Sequence, residues 1–149
     1  MKTILKTTLT LIALVVLCSC NSGPQAIDYG NDGCHFCKMT IVDKIHASEL
    51  ITDKGKVLKF DATECMLNFV EENNTLSVKE FLTNYYEAPT AFINAKEAIF
   101  LISKNLPSPM GAYLTAFKTK KASDQAQKEH GGKLYTWESL KAHLINKAQ

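Results

Sequence analysis

A chain of 149 residues with a formal charge of +2 and no arginine is poorly equipped to hold nucleic acid, because arginine is the side chain that grips phosphate bidentately. Two of its 17 lysines, Lys2 and Lys6, fall in the first turn of sequence; beyond residue 19 the remaining lysines match the 15 acids, so the basic excess belongs to the leader. What remains is a near-neutral chain of about 130 residues, long enough for one compact domain or two small units sharing a core.

The leader has a basic start, the apolar run Leu9 to Leu17, and then Leu17-Cys18-Ser19-Cys20. The run is shorter than the roughly 18 residues expected of a spanning helix, so residues 1–19 read as an export signal. Leu17 to Cys20 resembles a bacterial lipobox, which implies cleavage before Cys20 and acylation of its thiol. Residues 20–33, polar and broken by Gly23 and Pro24, read as a lipidated tether. Of the five cysteines, Cys34, Cys37 and Cys65 then stay free. An odd set in an exported protein points to a metal site or a reactive thiol more than to a disulfide framework.

Thr40-Ile41-Val42 opens a β-rich stretch, and Ala47 to Thr52, a turn over residues 53–56, and Val57 to Phe60 predict a β-hairpin. Asp61 with Glu64 three residues on has the pattern of a capping box. Cys65, Met66, Phe69 and Val70 follow at helical spacing, and Asn73-Asn74 ends the run. Strands are expected at Phe81 to Tyr85, Ala91 to Asn94, Ile99 to Ile102, Tyr113 to Phe117 and Lys133 to Tyr135. Pro107 to Gly111 reads as a turn, and Lys120 to His130 as a helix stopped by Gly131-Gly132. Thr136 caps a last helix with Trp137, Leu140, Leu144 and Ile145 inward. Gly55 to Phe60 and Gly111 to Phe117 each lead from a glycine through a strand into a helix. The fold class is therefore α+β: a tandem of two divergent ββαβ units packed on each other, residues 34–86 and residues 87–149, the second with an added C-terminal helix.

The chemistry concentrates in Cys34-His35-Phe36-Cys37-Lys38-Met39, where two thiols, an imidazole and a thioether stand within six residues. Thiolate with thioether favours monovalent copper, whereas structural zinc wants a closed set of four thiolate or imidazole ligands. A thioredoxin-like disulfide would need a buried strand before the motif and a helix N-terminus beneath it. Here a polar segment precedes it, with Asp28 and Asp32 expected to disfavour a thiolate. Cys65 and Met66 sit on the apolar side of a helix, where core packing is the better reading. Met110, in the Pro-Met-Gly turn, reads from its surroundings as a buried turn methionine. His35 is a ligand or a spacer, while His46, His130 and His143 have no ligand spacing with one another. No phosphate loop, nucleophile elbow or paired carboxylates support catalysis.

Taken in order, the lipobox, Cys34-x-x-Cys37-x-Met39, Phe60-Asp61 with Cys65-Met66, Ala95-x-x-Ala98, Pro109-Met110-Gly111 with Ala116-Phe117, and Gly131-Gly132 resemble the NosL family. The resemblance implies a non-enzymatic, membrane-anchored Cu(I) carrier on the periplasmic side, the outer membrane being the expected one. The implied recipient is nitrous oxide reductase or its assembly machinery, for its copper centres. It also implies a distant likeness to the organomercurial lyase (MerB-like) fold. As copper ligands it points to Cys34, Cys37, Met39 and Met110, with His35, Cys65 and Met66 as lesser candidates. A thiol-disulfide oxidoreductase and a zinc-stabilised structural lipoprotein are the alternatives.

Overall fold

A computed structural model describes residues 23–148, and side chains as far as residue 144. The expected signal peptide and the acylated Cys20 lie outside the described residues, and so does the side chain of Ile145. Among the described residues no helix is long and apolar enough to cross a membrane.

The first sheet begins with the expected hairpin. Strands β1 (Ser48–Thr52) and β2 (Val57–Phe60) pair antiparallel, and the Thr52 hydroxyl accepts from the Lys56 N–H at the turn (3.0 Å). Helix α1 (Thr63–Glu72) follows. Then β3 (Val78–Tyr85) returns along the other side of β1, and β4 (Ala88–Asn94) pairs with β3 to give the order β2-β1-β3-β4. β4 falls within the expected second unit by sequence, but its hydrogen bonds place it in the first sheet.

The second sheet is built from β5 (Ile99–Ile102), β6 (Leu114–Phe117) and β7 (Lys133–Tyr135), antiparallel in the order β6-β5-β7. Helix α2 (Lys120–His130) joins β6 to β7, and α3 (Trp137–Ala148) closes the chain. Thr119 caps α2 by accepting from the Ala122 N–H (3.2 Å). Gly131, at φ 68°, stops it as the sequence predicts. The architecture is thus mixed α/β, with two antiparallel sheets and three helices among the described residues.

Two features depart from expectation. Asp61 does not cap α1: the cap position is Ala62, extended and without a side-chain hydrogen bond, and Glu64 turns away to Ser108. The expected tether is packed from Gln25 onward. The Gln25 N–H donates to the buried Glu49 carboxylate (3.0 Å), Ile27 enters the core, and Tyr29 donates to Asn84 (2.7 Å). Polar composition concealed this because Ile27, the one buried apolar side chain among its described residues, gives no periodic signal.

One core serves both sheets. Leu50, Phe60 and Met66 from the first sheet and α1 share it with Phe100, Leu114, Trp137 and Leu140 from the second sheet and α3. Trp137 stacks obliquely on Phe81 of β3 and Phe100 of β5 (ring centroids 5.1 and 6.1 Å). Successive residues of a strand face opposite ways, so Leu101 beside Phe100 meets a smaller cluster with Phe117 and Ala126 under α2. Buried His46 adds a polar tie between the sheets, with Nδ1 3.0 Å from Asp43 Oδ1 and Nε2 3.0 Å from Thr115 Oγ1 on β6.

Candidate metal centre

The motif loop is shaped by its own backbone. Gly33 bridges to Thr40, the Cys34 N–H donates to the Met39 carbonyl (2.8 Å), and the Lys38 N–H donates to the Cys34 carbonyl (3.1 Å). Closing so short a loop puts Lys38 in the left-handed region at φ 66°. The loop is fastened to β2 by the His35 N–H on the Lys59 carbonyl (2.8 Å) and by the Lys59–Asp32 ion pair (2.6 Å).

This places Cys34 and Cys37 against α1, in whose first turn lies Cys65. The three sulfurs lie within 4.8 Å of one another, with Cys34 and Cys65 buried and Cys37 half-buried. Two sulfurs on one ion are at most about 4.6 Å apart, twice a metal–sulfur bond of about 2.3 Å, so the cluster is close to bridging distance as it stands. All three cysteines are free thiols. The helix explains the sharing of tasks along Glu64-Cys65-Met66. At about 100° per residue, Glu64 reaches the turn before β6, Cys65 reaches the loop thiols, and Met66 is sealed in the core.

Cys34 is poised as the thiolate. The Cys65 thiol donating to its sulfur is the largest influence and outweighs burial; the backbone N–H groups of Asp61, Cys37 and Phe36 add to it, holding Cys34 well below the ordinary thiol range. Cys65 is pushed up for the complementary reason, since it is the donor beside that negative sulfur, and burial pushes Cys37 up. The expected opposition of Asp28 and Asp32 to a thiolate does not take hold, because Asp32 is neutralised by Lys59 and the Cys34 sulfur is ringed by donors. Asp61, directly after β2, is raised to about 6 by burial and then by the charge on Cys34, and its Oδ1 is buried without a hydrogen-bond partner.

The other expected donors are placed differently. His35 is outside the thiol group and its ring stands edge-on to Phe60 and Phe69 (6.2 and 5.1 Å), where burial lowers its pKa. Met66 is fully buried in the core. Met39 and Met110, by contrast, are 47% and 39% exposed. The turn methionine is therefore not buried, as its surroundings in sequence suggested. Cys65, a lesser candidate by sequence, is the residue that the structure brings to the loop thiols. Its helical position faces inward, and the site lies at the inner edge of α1; the odd number of free thiols was the available signal.

A NosL family model matches residues 25–145. The chain belongs to the NosL family. Its structure is similar to the crystal structure of the copper chaperone NosL from Shewanella denitrificans, with a TM-score of 0.68 at 30% sequence identity, covering 78% of this chain and 94% of that one. No curated protein sequence matches the chain significantly. A three-thiol group that could hold a metal accords with the copper chaperone relative, and its all-sulfur donors are of the soft kind that monovalent copper accepts.

Proposed function

We propose that this NosL-family protein is an extracytoplasmic carrier of monovalent copper, anchored by lipid on Cys20. Its copper is destined for nitrous oxide reductase or the machinery that assembles its copper centres. The observation that carries the reading is the convergence of Cys34, Cys37 and Cys65 within 4.8 Å at the edge of the core. The buried pair supplies affinity. Half-buried Cys37 and the exposed residues Met39 and Met110 supply the soft donors through which a recipient's ligands displace the protein's one at a time. No catalytic step is assigned to the chain.

Anaerobic titration of the reduced protein, begun at or before Gly23 so that the Gln25 contact is kept, tests this against a competing Cu(I) chelator with zinc in parallel. One tightly bound Cu(I) and weak zinc binding are expected. Preference for zinc, or unfolding on chelation, would favour the structural zinc reading, for which the thiol group has no fourth His, Cys, Asp or Glu donor among the described residues.

A second reading, thiol–disulfide exchange, has one observation in its favour, the lowered pKa of Cys34 beside two further thiols. It requires catalysed reduction of a model disulfide that Cys37→Ser abolishes. We further propose that the two strand-strand-helix-strand units are a divergent repeat, distantly MerB-like. The matching sheet orders β2-β1-β3 and β6-β5-β7 support the repeat.

A further inference from the structure

The residue before Cys65 is a glutamate buried to 4% exposure, and nothing in copper binding by thiols requires it. Its partner lies in the other half of the chain. Ser108 donates to Glu64 Oε1 at 2.5 Å, both groups are buried, and the Ala112 N–H also faces the carboxyl. Ser108 in turn organises the segment that carries Met110. Its carbonyl accepts from the Gly111 N–H (3.1 Å), closing the turn around Pro109 and Met110, and its hydroxyl accepts from the Leu114 N–H at the start of β6 (3.4 Å). That segment includes two left-handed residues, Gly111 at φ 75° and Tyr113 at φ 59°. It also has few apolar anchors, since Met110 itself is exposed. A short loop of this kind needs an external fastening to hold one geometry.

We infer that Glu64 is a positioning residue, which fastens the Pro107-to-Gly111 turn through Ser108 and so fixes the Met110 thioether relative to the cysteine cluster. The inference rests on the reading of Met110 as a copper donor. Because Glu64 and Cys65 are consecutive on α1, the rigid helix that presents one thiol also sets where the turn sits. A donor held in place beforehand binds more tightly than one that must be ordered on binding.

The test uses the full chain with methionine methyl groups labelled with carbon-13, the Met110 signal being assigned from Met110→Leu. In the reduced, metal-free protein, Ser108→Ala and Glu64→Ala should move the Met110 methyl signal toward its random-coil position and leave Met66 in place, while Glu64→Gln, which keeps an acceptor oxygen, should restore it. In chelator competition Ser108→Ala should weaken Cu(I) binding about tenfold, the scale of one lost charge-assisted hydrogen bond. Adding Ser108→Ala to Met110→Leu should cost nothing further. A Met110 signal unmoved in Ser108→Ala would overturn the fastening itself. A moved signal with copper affinity indifferent to Met110→Leu would instead overturn the donor reading of Met110, and with it any role for Glu64 in copper binding.

Discussion

At the scale of single residues, Cys65 is where the site and the core meet. Serine there keeps nearly the same volume and removes the soft donor, so Cys65→Ser should leave the fold intact and weaken Cu(I) binding by more than about a hundredfold. Loss of a group that merely orients a ligand already costs about 10–100-fold. Competition with a chromophoric Cu(I) chelator checks this, and an unchanged affinity would confine the site to the loop. Cys34, Cys37 and Met39 were legible as candidate donors because they are adjacent in sequence. Cys65 ranked only as a lesser candidate, since helical periodicity reports which way a residue faces and not what it meets there. Glu49 provides a second residue-scale test. Burial raises its pKa to about 6, above its unfolded value, so its contribution to stability is complete below the unfolded pKa and lost as pH rises through about 6. The lowered Cys34 works in the opposite sense, its contribution falling away as pH drops, so the informative quantity is a difference. Glu49→Gln keeps an acceptor for the Gln25 N–H, and should raise the melting temperature at pH 7.5 while changing it little at pH 4. An equal effect at both values would show that the carboxyl titrates normally.

At the scale of elements, strand and helix positions were written locally and the way their ends are fastened was not. Lys120–His130 follows from its glycine stop, and the β1–β2 hairpin from two strand-like runs about the turn residues 53–56. The start of α1 misled because Asp61 and Glu64 have the spacing of a capping box while the fold uses both elsewhere. Glu64 is committed to Ser108, and Asp61 is buried behind the cysteine loop. Such a choice between a local and a distant partner is decided by tertiary packing. The glycine pair after α2 shows how two identical letters do different work. A Cβ on Gly131 would meet nothing within 4 Å, so Gly131→Ala carries only the backbone cost of φ 68° and ψ −163°, a region glycine alone occupies readily, about 1–3 kcal/mol. A Cβ on Gly132 would fall 2.2 Å from the Ile102 carbonyl oxygen, at φ 95°. Gly132→Ala must therefore push β7 away from β5, and should destabilise by about 2 kcal/mol more than Gly131→Ala. Denaturant midpoints at constant slope measure the two, and equal losses would mean that β7 yields freely.

At the scale of the whole molecule, the two sheets share one core, which predicts that they unfold as one cooperative unit. The chain has one tryptophan, and Trp137 touches Phe81 in the first sheet and Phe100 in the second, so its fluorescence reports the seam between them. Copper is proposed to bind outside that aromatic contact, on the cysteine loop and α1. If the core transmits, occupancy there must raise the stability that Trp137 reports: a ligand bound only by the folded state, free at 100 times its dissociation constant, adds about 2.7 kcal/mol. For a domain of this size that corresponds to a rise in melting temperature of roughly 8–12 °C. The same rise should be seen by far-ultraviolet circular dichroism, because two probes of a two-state transition coincide. A tryptophan transition that stays put while the thiols become protected would mean that the halves unfold separately. The Phe81–Trp137–Phe100 contact would then be packing without coupling, and copper would stabilise only the first sheet and its loop.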